Sequence, residues 1–285
     1  MLKRIPANWI LLAPGIVILL LAFVFPLGRL FIYSFYKTTS SGAIEPAFVL
    51  DQYIKFFTDT YYLEMLWRSV YVGVIVSAIC LVLGYFLAYG IARTKPKYRI
   101  PLLMLIALPL LTSAVIRNFG WIIILSKKGI LNEILIKLNI IHQPMELMYT
   151  VSGVIIALVH VMLPYMVLVL YAVIDGMDLN LEKAASNLGA NKFKVWWYVT
   201  LPISKPGIVA GTLLVFSITL SYFITPSLVG GSQVKLMATE IEDQTIQLLN
   251  WPFASAMGVI LLITMLIVTS LYKKALQSKY EGANT

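Results

Sequence analysis

The sequence predicts an all-α, polytopic membrane protein with six transmembrane helices. Two observations carry this. Composition is the first: 60% of the 285 residues are hydrophobic and only 12% are charged, against about 45–50% and about 25% in a soluble domain. The second is a series of six long stretches holding at most one charged residue each. About 20 apolar residues are enough for a helix to cross the hydrocarbon core. The stretches lack the two-residue alternation of barrel strands, so helices are what remains to satisfy the backbone in lipid.

Taken in order, the first stretch runs between Arg4 and Arg29 and places a span at 9–28. Lys3 and Arg4 form a basic lead like that of a signal peptide. The apolar run is longer than the roughly 7–15 residues of such a segment, and no small-x-small cleavage site follows, so it reads as an anchor helix. The second span, 69–92, lies between Arg68 and Arg93. The third, 101–125, carries a single charge, Arg117. The fourth, 150–174, lies between Glu146 and Asp175; the fifth, 207–228, follows Lys205; the sixth, 252–272, ends before Lys273.

Charge orients the six. One set of tails and loops, 1–8, 93–99, 175–205 and 273–285, holds 13 Lys/Arg and 4 Asp/Glu. The opposite set holds 9 of each, so the whole net charge of +9 falls on one face. The excess of positive charge on cytoplasmic loops then places both termini in the cytoplasm. Arg93 to Arg99 alone has four positives in seven residues. On the outer side, residues 29–66 are rich in Tyr and Phe, as in an interfacial aromatic belt or a docking surface for a partner. Residues 129–141 read as a short amphipathic helix at the outer surface.

Other chemistry is thinly represented. Cys80 is the one cysteine, and His142 and His160 are the two histidines. They make neither a disulfide nor a zinc site. No P-loop, nucleophile elbow or H-E-x-x-H pattern occurs, so ATP binding and these hydrolytic mechanisms are not expected on this chain.

The inner segment 175–205 has its own pattern. Leu181, Ala184, Ala185 and Leu188 share one helix face, and Gly189 follows as a left-handed stop. Asn191 is placed to cap a second helix carrying Phe193, Trp196 and Trp197, which Leu201-Pro202 should end. The pattern fits either a helical pair that receives another protein or an amphipathic loop with Lys192 and Lys194 on anionic headgroups.

The frame Glu182-Lys183-Ala184-Ala185, then Gly189, then Leu201-Pro202 resembles the EAA loop of binding-protein-dependent ABC importer permeases of type I. In strict register the family's glutamate falls on Lys183, with Glu182 one position earlier. Further segments are similar to that family: Leu163-Pro164-Tyr165-Met166, Arg117 with Trp121, and Leu83-Gly84-Tyr85-Phe86-Leu87-Ala88-Tyr89. Phe223-Ile224-Thr225-Pro226 through Gly230-Gly231, with Asn250-Trp251-Pro252-Phe253-Ala254, resembles the spermidine/putrescine branch. Permeases for iron(III), phosphonate and opines share much of these last segments.

The resemblance implies a MetI-like fold, a single permease domain over 1–285 with its core at about 65–272, and a multi-pass place in a bacterial inner membrane. It implies that Leu181, Glu182, Lys183, Ala184, Ala185, Leu188, Gly189, Leu201 and Pro202 couple to a cytoplasmic ATPase dimer. ATP and Mg would be bound there and no cofactor on this chain. The other implied partners are a second, homologous but different permease, an extracytoplasmic substrate-binding protein and membrane lipid; nucleic acid is not among them.

Candidate path residues are Arg117, Trp121, Ser221, Tyr222 and Pro226. A charge at mid-bilayer costs about 2.5–3.5 kcal/mol, so Arg117 either snorkels to the interface or serves a site. His160 reads as a packing histidine. Pro109, Pro164 and Pro226 interrupt spans three, four and five. Ser217 and Thr219 add polar groups to span five. No Asp or Glu lies inside any predicted span, so a polyamine would meet ring faces such as Tyr222 and Trp121 or groups from partner chains. An independent carrier or channel is the rival reading; the intramembrane acids and internal repeats common in carriers are absent from the pattern. An intramembrane enzyme would need a catalytic pairing that His160 and scattered serines do not form.

Overall fold

The computed structural model describes residues 7–39 and 44–281. Lys3, Arg4 and the last four residues, counted above with the inner face, lie outside them. The order is α1 (Ala7–Leu19), α2 (Phe25–Tyr33), strands β1 (Lys37–Thr38) and β2 (Ile44–Glu45), then α3 (Asp51–Thr58) and α4 (Thr60–Ala92). There follow α5 (Pro96–Leu111), α6 (Ala114–Leu125), α7 (Ile130–Lys137), α8 (Val151–Asp175), α9 (Leu179–Asn187) and α10 (Lys192–Val195). The chain closes with α11 (Leu201–Ile203), α12 (Lys205–Ser221), α13 (Met237–Glu242) and α14 (Trp251–Glu281).

Four segments are long and apolar enough to cross a membrane unbroken: Pro14–Tyr33, Thr60–Ala92, Val151–Asp175 and Trp251–Lys274. Two more crossings are helix pairs bent at a short break, α5 with Ala114–Lys137 by 93°, and Lys192–Ile203 with α12 by 64°. Counting each bent pair as one span gives six, the third and fifth broken rather than continuous over the 101–125 and 207–228 expected. The third breaks at Thr112 and Ser113, both extended. The fifth ends at Ser221, where Tyr222 turns extended, and resumes as a π-turn at Pro226–Gly230. Pro164, by contrast, sits inside an unbroken α8.

The described residues pack as two compact units, Met1–Leu63 with Glu240–Thr264, and Glu64–Thr239 with Met265–Thr285. In the first, β1 and β2 pair antiparallel with Lys37 opposite Glu45, and Thr38 Oγ1 donates to Asn250 Oδ1 at 2.9 Å. Two rings of the aromatic-rich stretch 29–66 are core residues: Phe56 is fully buried and Tyr62 nearly so. Tyr62 meets Phe253 edge-on with centroids 4.9 Å apart. The short amphipathic helix expected within 129–141 is α7.

The second unit is built around α8, which buries eleven residues. Two glycines of α12 lie against it. A Cβ at Gly211 would come 2.7 Å from Met166 Sδ, and one at Gly207 would come 3.0 Å from Val173. From α4, Gly84 approaches the same Met166, 2.8 Å from a Cβ to Cγ. Small residues let helices close to this distance, and dispersion then holds them where lipid supplies no hydrophobic drive.

Candidate functional site

The inner segment after α8 is two short helices with capped ends. Asp178 Oδ1 accepts the Asn180 N–H at 2.9 Å, starting α9. Gly189 ends it at φ +87°, with its N–H on Ser186 O at 3.0 Å. Asn191 Oδ1 accepts the Lys194 N–H at 2.8 Å and starts α10. Leu181, Lys183 and Ala184 are exposed, Leu188 is 90% exposed, and Ala185 is half-buried. The face expected from the spacing is therefore open, apart from Ala185.

Glu182 fastens this helical pair to α4. Arg93, just past the end of α4, donates from Nε to Glu182 Oε2 at 3.1 Å and from a second nitrogen to Oε1. Thr200 Oγ1 donates to the same Oε1 at 2.8 Å. Burial works against the Arg93 charge, yet its bonds to Glu182 and the carboxylate's field outweigh that and raise its pKa. A second fastening lies deeper, where Tyr85 OH and Ser204 Oγ are 2.9 Å apart and buried. Arg99 pairs with Asp175 at 2.6 Å, so two of the four cations in 93–99 stitch the inner loops together.

The second helix does not end at Leu201-Pro202, as the sequence pattern led us to expect. It continues through a π-turn at Trp196–Thr200 to Ile203 and bends at Ser204. In the π-turn the Leu201 N–H reaches back to Trp196 O, five residues earlier. This wider turn relaxes the ladder ahead of Pro202, whose ring would otherwise clash with the carbonyl four residues before it.

The two interrupted spans meet on their polar residues. Arg117 donates to Tyr222 OH at 3.0 Å and also to Pro109 O. Pro109 O accepts from Thr112 Oγ1 at 2.9 Å as well, so a carbonyl at the end of α5 is satisfied by side chains. One turn further, Thr225 Oγ1 donates to buried Asn118 Oδ1 at 2.9 Å, and Asn118 Nδ2 donates to Ala114 O. Arg117 Nε is buried without a partner among the described residues. Trp121 Nε1 donates to His160 Nδ1 at 3.3 Å, the rings meeting edge-on. Irregular backbone at membrane depth survives only where protein or a cavity satisfies it; here Pro109 O is met by side chains of its own span, and side-chain bonds tie the two breaks together.

A protein-family model described as the binding-protein-dependent transport system inner membrane component matches residues 134–282. This chain belongs to that family. The permease is 38% identical over 242 residues to the spermidine/putrescine transport system permease protein PotB of Escherichia coli K12, covering 85% of this chain and 88% of that one. To PotB of Haemophilus influenzae it is 38% identical over 226 residues, 79% of each chain. Its fold is that of a subunit in the crystal structure of a bacterial alginate ABC transporter in complex with an alginate pentasaccharide-bound periplasmic protein. The TM-score there is 0.76, at 17% identity, over 93% of this permease and 92% of that chain.

Of the path residues named from sequence, the permease brings Arg117 and Tyr222 together. Trp121 pairs with His160 instead. Pro226 is buried at the start of the Pro226–Gly230 turn, and Ser221 returns its hydroxyl to Ser217 O and Ile218 O of its own helix. Sequence reasoning missed Arg93, Thr200, Asn118, Thr225 and Tyr85 as partners, since each bond but Thr200–Glu182 joins residues some 90 or more positions apart. It also missed Glu240 of α13, 5% exposed, whose Oε1 accepts from Gln244 at 2.8 Å and whose Oε2 lies 3.5 Å from Tyr61 OH.

Proposed function

We propose that this permease is one of two membrane subunits of an ABC importer carrying spermidine or putrescine inward. Its relatedness to polyamine permeases over most of its length supports the substrate class. ATP is bound and hydrolysed, with Mg, on a separate cytoplasmic ATPase dimer. The second membrane subunit is a homologous but different chain, and an extracytoplasmic binding protein delivers the substrate. Both termini are cytoplasmic, as the charge distribution over the loops argues.

Alternating access follows from the two fastened regions. Closure of the ATPases pulls α9, with Leu181, Ala184, Ala185 and Leu188 facing the partner. The pull passes through Glu182 to Arg93 at the end of α4, and through Ser204 to Tyr85, so the loop moves α4 and α12 as a body. At the other region, relative motion of α6 and α12 separates or closes Arg117 and Tyr222. Discontinuous helices at such a point are where transporters place substrate. Ring faces of Tyr222 and Trp121 suit an ammonium.

The test is uptake of radiolabelled spermidine by vesicles holding both permeases and the ATPase, with the binding protein supplied outside. ATP-dependent uptake competed by putrescine is expected. Uptake of iron(III) or phosphonate in place of polyamine would overturn the substrate, and transport by this chain alone would overturn the subunit assignment.

A further inference from the structure

Beside α9, on the side away from the Leu181, Ala184, Ala185 and Leu188 face, lies a cavity of about 1020 Å³. One wall is aromatic. Phe86, on the last turns of α4, stacks on Trp196 with centroids 6.1 Å apart and planes 17° from parallel. Phe193 stacks likewise on Trp197, 6.3 Å and 17°. Phe86, Phe193 and Trp197 are all exposed. Lys183 and Lys192 line it too. Arg93 and Glu182 also line it but neutralise each other. Neither lysine forms an ion pair among the described residues, so the rim is cationic.

We propose that this groove binds an anionic phospholipid, its phosphate on Lys183 and Lys192 and its first acyl carbons against Phe86, Trp196 and Phe193. Charge and position both argue for lipid. Phe86 lies within two turns of the end of the membrane-crossing segment Thr60–Ala92, and Lys192 opens the bent pair of the fifth span, so both belong to the inner edge of the bilayer. Aromatic rings at headgroup level and cations just past it are the pattern of an interfacial lipid site. A bound lipid would brace α9 against the end of α4 beside the Arg93–Glu182 bonds, which line the same cavity.

The inference rests on the permease reading for which leaflet supplies the lipid. Its test is read without transport, so lost uptake with retained lipid counts against that reading alone. The assembled transporter is placed in phosphatidylcholine nanodiscs with or without phosphatidylglycerol, and bound lipid is counted by native mass spectrometry. Wild type should retain phosphatidylglycerol, and the Lys183→Gln/Lys192→Gln variant should lose it on the order of tenfold. Lys194→Gln, on the same helix but outside the groove, should retain it. Equal retention in all three overturns the site, and displacement by inorganic phosphate overturns lipid as its ligand. If the double variant does not assemble, a photoreactive residue replacing Phe193 decides: adducts with phospholipid support the site, and adducts with the ATPase alone overturn it.

Discussion

Arg93 and Glu182 hold each other by two nitrogens on two oxygens, across 89 positions of sequence, and Thr200 shares one of those oxygens. The pair is about one-fifth exposed on either side. It is therefore more than a surface ion pair and less than a buried one. Its value is geometric: one carboxylate ties the end of α4, the first turn of α9 and the π-turn after α10.

Glu182→Gln keeps an acceptor for Thr200 and removes the charge facing Arg93. Stability should fall by about 1–2 kcal/mol, seen as a lower denaturation temperature of the reconstituted complex. Stimulation of the ATPase by the loaded binding protein should fall further. The exchange Arg93→Glu with Glu182→Arg should recover part of the stimulation; no recovery would assign Glu182 to a contact outside this chain.

Gly189 has φ +87° and open space where a Cβ would stand. A side chain meets no clash within the chain, only the left-handed backbone cost of roughly 1–2 kcal/mol. Gly189→Asn, which tolerates that region, should keep most uptake, and Gly189→Val should lose it. Equal loss in both would mean that bulk against a partner, not backbone conformation, is what the position forbids.

Arg117→Ala and Tyr222→Phe should each lower uptake, and the double variant should be no worse than Arg117→Ala. A thermal-stability cycle on the same variants should give a coupling of about 0.5–2 kcal/mol. Additive losses would show that the 3.0 Å bond is incidental to transport.

Glu240→Gln retains the side chain's shape and one acceptor oxygen, enough for the bond from Gln244. If the carboxylate helps to accommodate a polycation, initial spermidine uptake should fall several-fold with expression unchanged. Wild-type uptake would exclude it from that role.

The spans were legible because lipid demands long uncharged runs: 150–174 falls almost on α8, and 69–92 shares its end with α4, which starts earlier, at Thr60. The helical turn at 181–189 was legible because capping and left-handed stops are local: Asn191 and Gly189 do what their residue types do anywhere. The breaks in spans three and five were legible only as interruptions near Pro109 and Pro226, not at the residues where they fall. Thr112-Ser113 and Tyr222-Phe223 contain neither proline nor glycine, and the side-chain bonds beside them, Arg117–Tyr222 and Asn118–Thr225, join residues more than 100 positions apart. Proline misled in both directions. Pro164 leaves α8 unbroken, and Pro202 lies inside a helix that a π-turn had already widened. The charge excess of 93–99 read as an orientation signal, but its sequence gave no sign that Arg93 and Arg99 have carboxylates waiting on other elements.

That π-turn at Trp196–Thr200 has a consequence for angle. It holds one residue more than an α-helical turn would, and each residue of an α-helix advances the chain by about 100°. Whatever follows the turn is thus out of phase with whatever precedes it by roughly that angle. The face that α10 presents is set by a count of residues in the turn, and its direction relative to α12 also by the 64° bend at Ser204. Deleting Tyr198 or Val199 alone would leave every named bond chemically possible and still swing the aromatic wall about a quarter turn away from the helix it now faces.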